Sequence, residues 1–111
     1  AEQRLPLAEV AERLPALLDE AQRLLRERAQ RLLADHSREV GSLDGLRDAF
    51  ADGPVFANAP FCDRPECEAA VKAAVHAVTV RCLRTDRAGE GRPCLACSAP
   101  AAHIAVIARA Y

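Results

Sequence analysis

Four cysteines carry the inorganic chemistry open to this sequence. They form two close pairs, Cys62-x4-Cys67 and Cys94-x2-Cys97, separated by 26 residues. Two such pairs, each near a turn and remote from the other, are how a chain builds a four-thiolate zinc site, in which the ion joins distant stretches. Thiolates are soft donors, and the filled d shell of zinc imposes no competing geometry. Four thiolates leave no open coordination position, so the ion expected here is structural and not catalytic. A rubredoxin-like iron site uses the same donors, so zinc is the preferred ion and not the only one consistent with them. Two structural disulfides compete with this reading, but they need an oxidising compartment, and the odd total of five cysteines does not favour one. Redox use of Cys94-x2-Cys97 would want the pair at a helix start after a strand, whereas Ser98-Ala99-Pro100 reads as a turn. Cysteines unconnected with one another are the third competitor.

The fifth cysteine, Cys82, alternates with Val78 and Val80 and reads as a buried free thiol. His36, His76 and His103 are isolated. His76 is expected to meet helix-terminal carbonyls and His103 to cap a turn, neither being needed as a ligand beside four cysteines. There is no Gly-rich phosphate loop, no Gly-x-Ser-x-Gly and no His-Glu-x-x-His, so the 111 residues alone show no active site.

The elements around the cysteine pairs follow from periodicity. From Leu7 to about Leu33, leucines and alanines recur at helical spacing, with Arg23, Arg26, Glu27, Gln30 and Arg31 opposite. Pro6 suits a first turn, Pro15 is expected to kink or split the helix, and Gly41 marks its stop. Ser42 is a candidate N-cap for a short helix to Phe50, with Leu43, Leu46 and Phe50 on one face. Val55-Phe56-Ala57 reads as a short strand stopped at Pro60. Asp63-x-x-Glu66 looks like a capping box ahead of a helix from about Pro65 to Ala77, burying Ala70, Val71, Ala74 and Val75. Cys67 falls in the first turn of that helix, where exposed N–H groups favour a thiolate. Val78 to Leu83 alternates as a strand, Asp86 to Gly91 reads as a loop, and Ile104 to Ile107 reads as a strand buried on both faces.

With 15 basic and 16 acidic residues the net charge is −1, and half the residues are hydrophobic. A chain of this length can bury one modest core and not two. The near-neutral balance gives no basic footprint for autonomous nucleic-acid binding, and the ordinary apolar content argues against disorder. The Arg23–Arg31 face alternates with Glu20 and Glu27 and reads as a solvated stripe of i,i+4 pairs, an RNA-facing role being the minority reading. The longest uncharged run, Cys94 to Ala108, has 15 residues against the roughly 20 a bilayer span needs. No leader segment is visible, so a cytoplasmic location without membrane association is expected. A start on Ala1 suits a fragment or a processed chain.

The stretch Ala59-Pro60-Phe61-Cys62-Asp63-Arg64-Pro65-Glu66-Cys67-Glu68 resembles the Ala-Pro-Trp-Cys-Gly-x-x-x-Cys-Glu signature of prolyl-tRNA synthetases of the archaeal/eukaryotic type. The likeness continues through Arg81-Cys82-Leu83 and Cys94-x2-Cys97 to Ala108-Arg109-Ala110-Tyr111, and more loosely through the upstream helix. The resemblance implies the C-terminal zinc-binding domain of a class II synthetase that charges tRNA(Pro) with proline using ATP. It implies an α+β fold, helices packed on one face of a small mixed sheet, which agrees with the element order read above. By motif position Cys62, Cys67, Cys94 and Cys97 would bind structural Zn2+, and Tyr111 would direct its carboxylate toward the catalytic domain. ATP would belong to the full enzyme. The partners implied are the catalytic and anticodon-binding domains and, through them, tRNA(Pro), with a homodimer through the full enzyme left open. Residues 1–111 would be one domain, with a long helical segment over 1–40 and a zinc-containing part over 54–111. The alternative is a free-standing zinc-binding scaffold module for a protein or RNA partner. The sequence departs from the pattern at Phe61 for Trp and at Asp63 and Ser98 for Gly. Arg84-Thr85-Asp86 also replaces Pro-Phe-Asp, and alanines replace the basic residues flanking the last knuckle. These changes weaken the case for a tRNA-backbone contact and leave the metal ligands in place.

Overall fold

The computed structural model describes residues 2–110, so the expectation for Tyr111 lies outside the described residues. The chain divides into two compact units, Ala1–Asp35 and His36–Tyr111.

The first unit is helical. A 3-10 turn at Leu7–Glu9 leads directly into α1, Val10–Asp35, with Pro6 as the residue before the turn. Pro15 lies inside α1 and does not split it. Its missing N–H leaves the carbonyl of Ala11 without the usual i→i−4 donor, and Ala11 is exposed, so water can take that acceptor. The expected charge ladder is present: Arg23 bonds Glu27 at 2.7 Å and approaches Glu20 at 3.6 Å. Each such exposed pair is worth only about 0.2–0.5 kcal/mol. No residue of α1 is buried, and Leu14, Leu18, Leu25 and Leu32 are all exposed. The helix stops at Asp35 and not near Gly41, because Ser37–Glu39 forms a strand, β1, that the sequence reading missed.

The second unit is α+β. A short helix α2, Leu43–Ala51, follows β1, then strand β2, Phe56–Phe61, helix α3, Pro65–Ala74, and strands β3, Val78–Ala88, and β4, His103–Arg109. The sheet order is β1-β2-β4-β3, with β1 parallel to β2 and both other pairings antiparallel. Ser42 caps α2 as expected, its hydroxyl accepting from Gly45 N–H at 3.0 Å, and Leu46 and Phe50 are buried. On β2 and β4 the paired residues Ala57 with Ile107 and Ala59 with Ala105 face the core that Leu46, Phe50, Cys67 and Val71 of the two helices complete. Ile104 and Ala108, on the other face of β4, are buried too, so the central strand reads as buried on both faces.

Other expectations change as well. Strand β2 runs through Pro60 instead of stopping there. The carbonyls of Asn58 and Pro60 point the same way along the strand; Asn58 accepts from Val40 N–H and Pro60 from Leu95 N–H. The absent N–H of Pro60 therefore faces a side where β1, whose last partner is Asn58, has already ended. The capping box does not form: Arg64 is the cap residue of α3 with no side-chain bond, and Asp63 is left-handed at φ 62°. Helix α3 also ends at Ala74 instead of Ala77, with Val75 extended and Ala77 at φ 61°.

Strand β3 is longer than expected and carries two register shifts. Val80 opposes Ile107 while Cys82 opposes Val106, so Arg81 is an extra residue that inverts the alternation. Cys82 is consequently exposed, not buried. Farther on, Leu83 opposes Ala105 and Ala88 opposes His103, so residues 84–87 stand against Ile104 alone. His103 is thereby a strand residue and not a turn cap. The 84–87 segment arches over the sheet face that carries Asn58. Arg84 Nη1 donates to the buried Asn58 Oδ1 at 3.1 Å, and Arg87 pairs with Glu39 of β1 at 2.7 and 3.3 Å.

Candidate metal centre

Each cysteine pair sits where the backbone reverses. Cys62 is the first residue beyond β2, and Cys67 lies in the first turn of α3 and is buried. Cys94 and Cys97 lie in a tight turn closed by the bridge between Pro93 and Pro100 and by Cys94 N–H donating to the Ala99 carbonyl at 2.8 Å. That turn is docked onto β2 by Leu95 N–H bonding the Pro60 carbonyl at 3.0 Å. Gly89 anchors its approach: a Cβ there would lie 2.4 Å from the Ala101 carbonyl oxygen, and its N–H bonds Ala102 at 2.9 Å. Only glycine fits so close an approach.

The fold brings all four predicted sulfurs together. Every Sγ of Cys62, Cys67, Cys94 and Cys97 lies within 4.8 Å of the others. Cys62 is 3.4 Å from Cys67 and 3.7 Å from Cys97. A tetrahedral ion with metal–sulfur bonds of about 2.3 Å has edges of about 3.8 Å, whereas a disulfide requires about 2.05 Å. The set therefore matches the span of a four-thiolate ion site, and all five cysteines are free of disulfides. Cys82 and the three histidines stand outside this cluster. His76 is exposed, and the contact at that position runs through its backbone, whose carbonyl accepts from Arg109 Nε at 3.3 Å.

The electrostatics ask for a cation. Burial pushes the Cys67 thiol well up, and its sulfur neighbours add to the rise. Burial also raises Cys62, against an opposing hydrogen bond from Arg64 N–H. At Cys94 burial works the same way but loses to backbone N–H donors from Ala96, Cys97 and Cys62, which bring the thiol down to about 7. Four adjacent sulfurs cannot all ionise by themselves, and a divalent ion removes that repulsion. The N–H groups aimed at Cys94 and Cys62 are the ones a ligated thiolate accepts. The donor set, spacing and backbone thus fit a metal ion.

Comparison with known proteins gives the context. The family model described as "Prolyl-tRNA synthetase, C-terminal" matches residues 43–111, from the start of α2 through all four cysteines. The chain belongs to the prolyl-tRNA synthetase C-terminal family. It is 37% identical to the proline--tRNA ligase of Mycobacterium leprae (strain Br4923) over 113 aligned positions, covering all of this chain and 23% of that protein. Proline--tRNA ligase 2 of Clostridioides difficile (strain 630) is 31% identical over 96% of the chain and 22% of its own length. The crystal structure of prolyl-tRNA synthetase from Cryptosporidium parvum, complexed with L-proline and AMP, superposes over the whole chain with TM-score 0.84 at 25% identity. The chain spans less than a quarter of the length of these relatives.

The two positions at which the resemblance expects glycine fall on matching backbone. Asp63 follows Cys62 and Ser98 follows Cys97, and both have φ 62°. A non-glycine residue in that region carries a cost of about 1–2 kcal/mol, less for Asp. Sequence reasoning missed the Asn58–Arg84 contact and the Arg87–Glu39 pair. The signal available was a polar Asn inside the apolar run from Phe56 to Phe61.

Proposed function

We propose that this chain is the structural zinc module of a proline--tRNA ligase that charges tRNA(Pro) with proline using ATP, with Cys62, Cys67, Cys94 and Cys97 as the ligands. The mutual 4.8 Å limit on the four sulfurs, in a chain of this family, carries the reading. Zinc is the ion of choice because the donors are four thiolates and no open position is needed. The ion would tie the turn after β2 to the 93–100 hairpin, and so fix the direction in which β4 delivers the residues after Arg109. The resemblance assigns Tyr111 the role of directing its carboxylate toward the catalytic domain. The catalytic and anticodon-binding domains, tRNA(Pro) through them, and a cytoplasmic setting complete the proposal. Among the described residues no helix is long and apolar enough to cross a membrane.

Elemental analysis of the purified chain tests the centre. One zinc per chain is expected, falling to none in Cys67→Ala; a wild-type chain that binds no ion, or iron in place of zinc, would refute it. The synthetase context is tested by joining the chain to catalytic and anticodon-binding domains of a relative and measuring proline-dependent aminoacylation before and after zinc removal.

A further inference from the structure

Oxidation of a filled thiolate centre is decided by which sulfur a small oxidant reaches first and which sulfur is in range to close on it. The four sulfurs are not equivalent. Cys67 and Cys94 retain 4% and 2% of their exposure, Cys62 is half-buried and Cys97 is exposed. Cys97 is thus the most exposed residue of the four, and its sulfur lies 3.7 Å from that of Cys62. Cys94 is buried and accepts hydrogen bonds from the backbone of Ala96, Cys97 and Cys62. Cys67, though 3.4 Å from Cys62, sits in the core among the residues that join α3 to the sheet.

We propose that this centre is a directed redox device: peroxide oxidises Cys97, Cys62 closes on it, and the ion leaves while a Cys62–Cys97 disulfide keeps the two turns tied. The inference rests on the metal-centre reading above. In the first step the Cys97 thiolate attacks a peroxide oxygen, the O–O bond breaks, and hydroxide departs to be protonated to water. The Cys62 thiolate then displaces the sulfenic oxygen as a second hydroxide, likewise protonated, and the S–S bond forms. Two thiolates give up two electrons, peroxide accepts them, and two protons are consumed. The ion, left with two donors, is released.

The choice of pair has a structural consequence. A bond within either pair, Cys62–Cys67 or Cys94–Cys97, would leave the turn after β2 and the 93–100 hairpin without a covalent tie, joined only by contacts such as the Leu95 N–H to Pro60 carbonyl bond. The Cys62–Cys97 bond joins residues 35 apart, one from each turn, so a covalent link takes over the tie made by the ion. Oxidation would empty the centre without unfolding the domain.

The test uses the zinc-loaded full chain carrying Cys82→Ser, which removes the exposed thiol outside the centre. Hydrogen peroxide is added stoichiometrically while a chromogenic chelator reads free zinc and non-reducing peptide mapping reads the linkage. One zinc released per disulfide is expected, with Cys62–Cys97 as the linkage and Cys67 and Cys94 recovered as thiols. The oxidised chain should also melt above the reduced chain stripped by chelator. A Cys94–Cys97 or Cys62–Cys67 linkage, zinc retained after peroxide is consumed, or melting no higher than the stripped chain overturns the device and leaves the metal reading standing. A chain that takes up no zinc at the outset overturns both.

Discussion

Asp63 and Ser98 hold the same left-handed backbone immediately after Cys62 and Cys97. Glycine adopts that conformation without a Cβ penalty. Ser98→Gly is therefore expected to stabilise the metal-loaded chain by about 1 kcal/mol, and Asp63→Gly by less, since Asp tolerates the region. A shift of the denaturant midpoint at unchanged slope measures it; no shift would mean the turn relaxes around serine. Gly89 is the opposite case. A methyl group there meets a backbone oxygen, not a flexible side chain, so Gly89→Ala should cost about 1–3 kcal/mol. Wild-type stability in that variant would show that the 89–102 approach is looser than its hydrogen bonds imply. Cys82 makes the residue-scale lesson. Its type and neighbours spelled a buried thiol, and one inserted residue, Arg81, turned it outward. Bulges depend on the partner strand, which local alternation does not contain.

Elements were legible where a local signal governs them and obscure where pairing does. Ser42 with the Leu46 and Phe50 spacing defined α2 almost to the residue, because a cap and a buried face are both local. Ser42→Ala should cost about 1 kcal/mol, read as loss of amide protection in 43–51. Strand β1 left no such mark: Ser37-Arg38-Glu39 has neither β-branched nor apolar residues, and it becomes a strand by pairing with Phe56, Ala57 and Asn58. Pro60 was read as a stop because its lost N–H matters only if a neighbour wants it, and none does on that side. The metal should act on these elements unequally. Metal binding to thiolate sites contributes on the order of 10–16 kcal/mol, comparable to the stability of a small domain. Cys94→Ala is thus expected to abolish amide protection in β2 and β4 while the far-ultraviolet signal of α1 persists. Retained protection and melting temperature would sink the structural role.

At the scale of the molecule, metal retention should depend on pH with a definite sign. Loading requires thiolates, and burial holds the Cys67 and Cys62 thiols above their ordinary range in the metal-free chain. The loaded state then binds fewer protons than the empty one, so affinity rises with pH and is lost on acidification. A competition titration against a chelator of known pH dependence checks this; affinity flat across the neutral-to-acid range would exclude thiolate ligation. Because all four sulfurs lie in His36–Tyr111 and α1 buries none of its residues, removing residues 1–35 should leave zinc stoichiometry unchanged.

The sequence by itself determined the two cysteine pairs, the helical periodicity of α1, the cap of α2 and the doubly buried central strand, since each is written in residue type and short spacing. The tertiary structure alone decided that the two cysteine pairs meet, that β2 passes through Pro60, that Cys82 faces solvent, and that the 84–87 arch carries Arg84 to Asn58. Those outcomes depend on register between strands far apart in the chain, and register is set by the whole sheet at once.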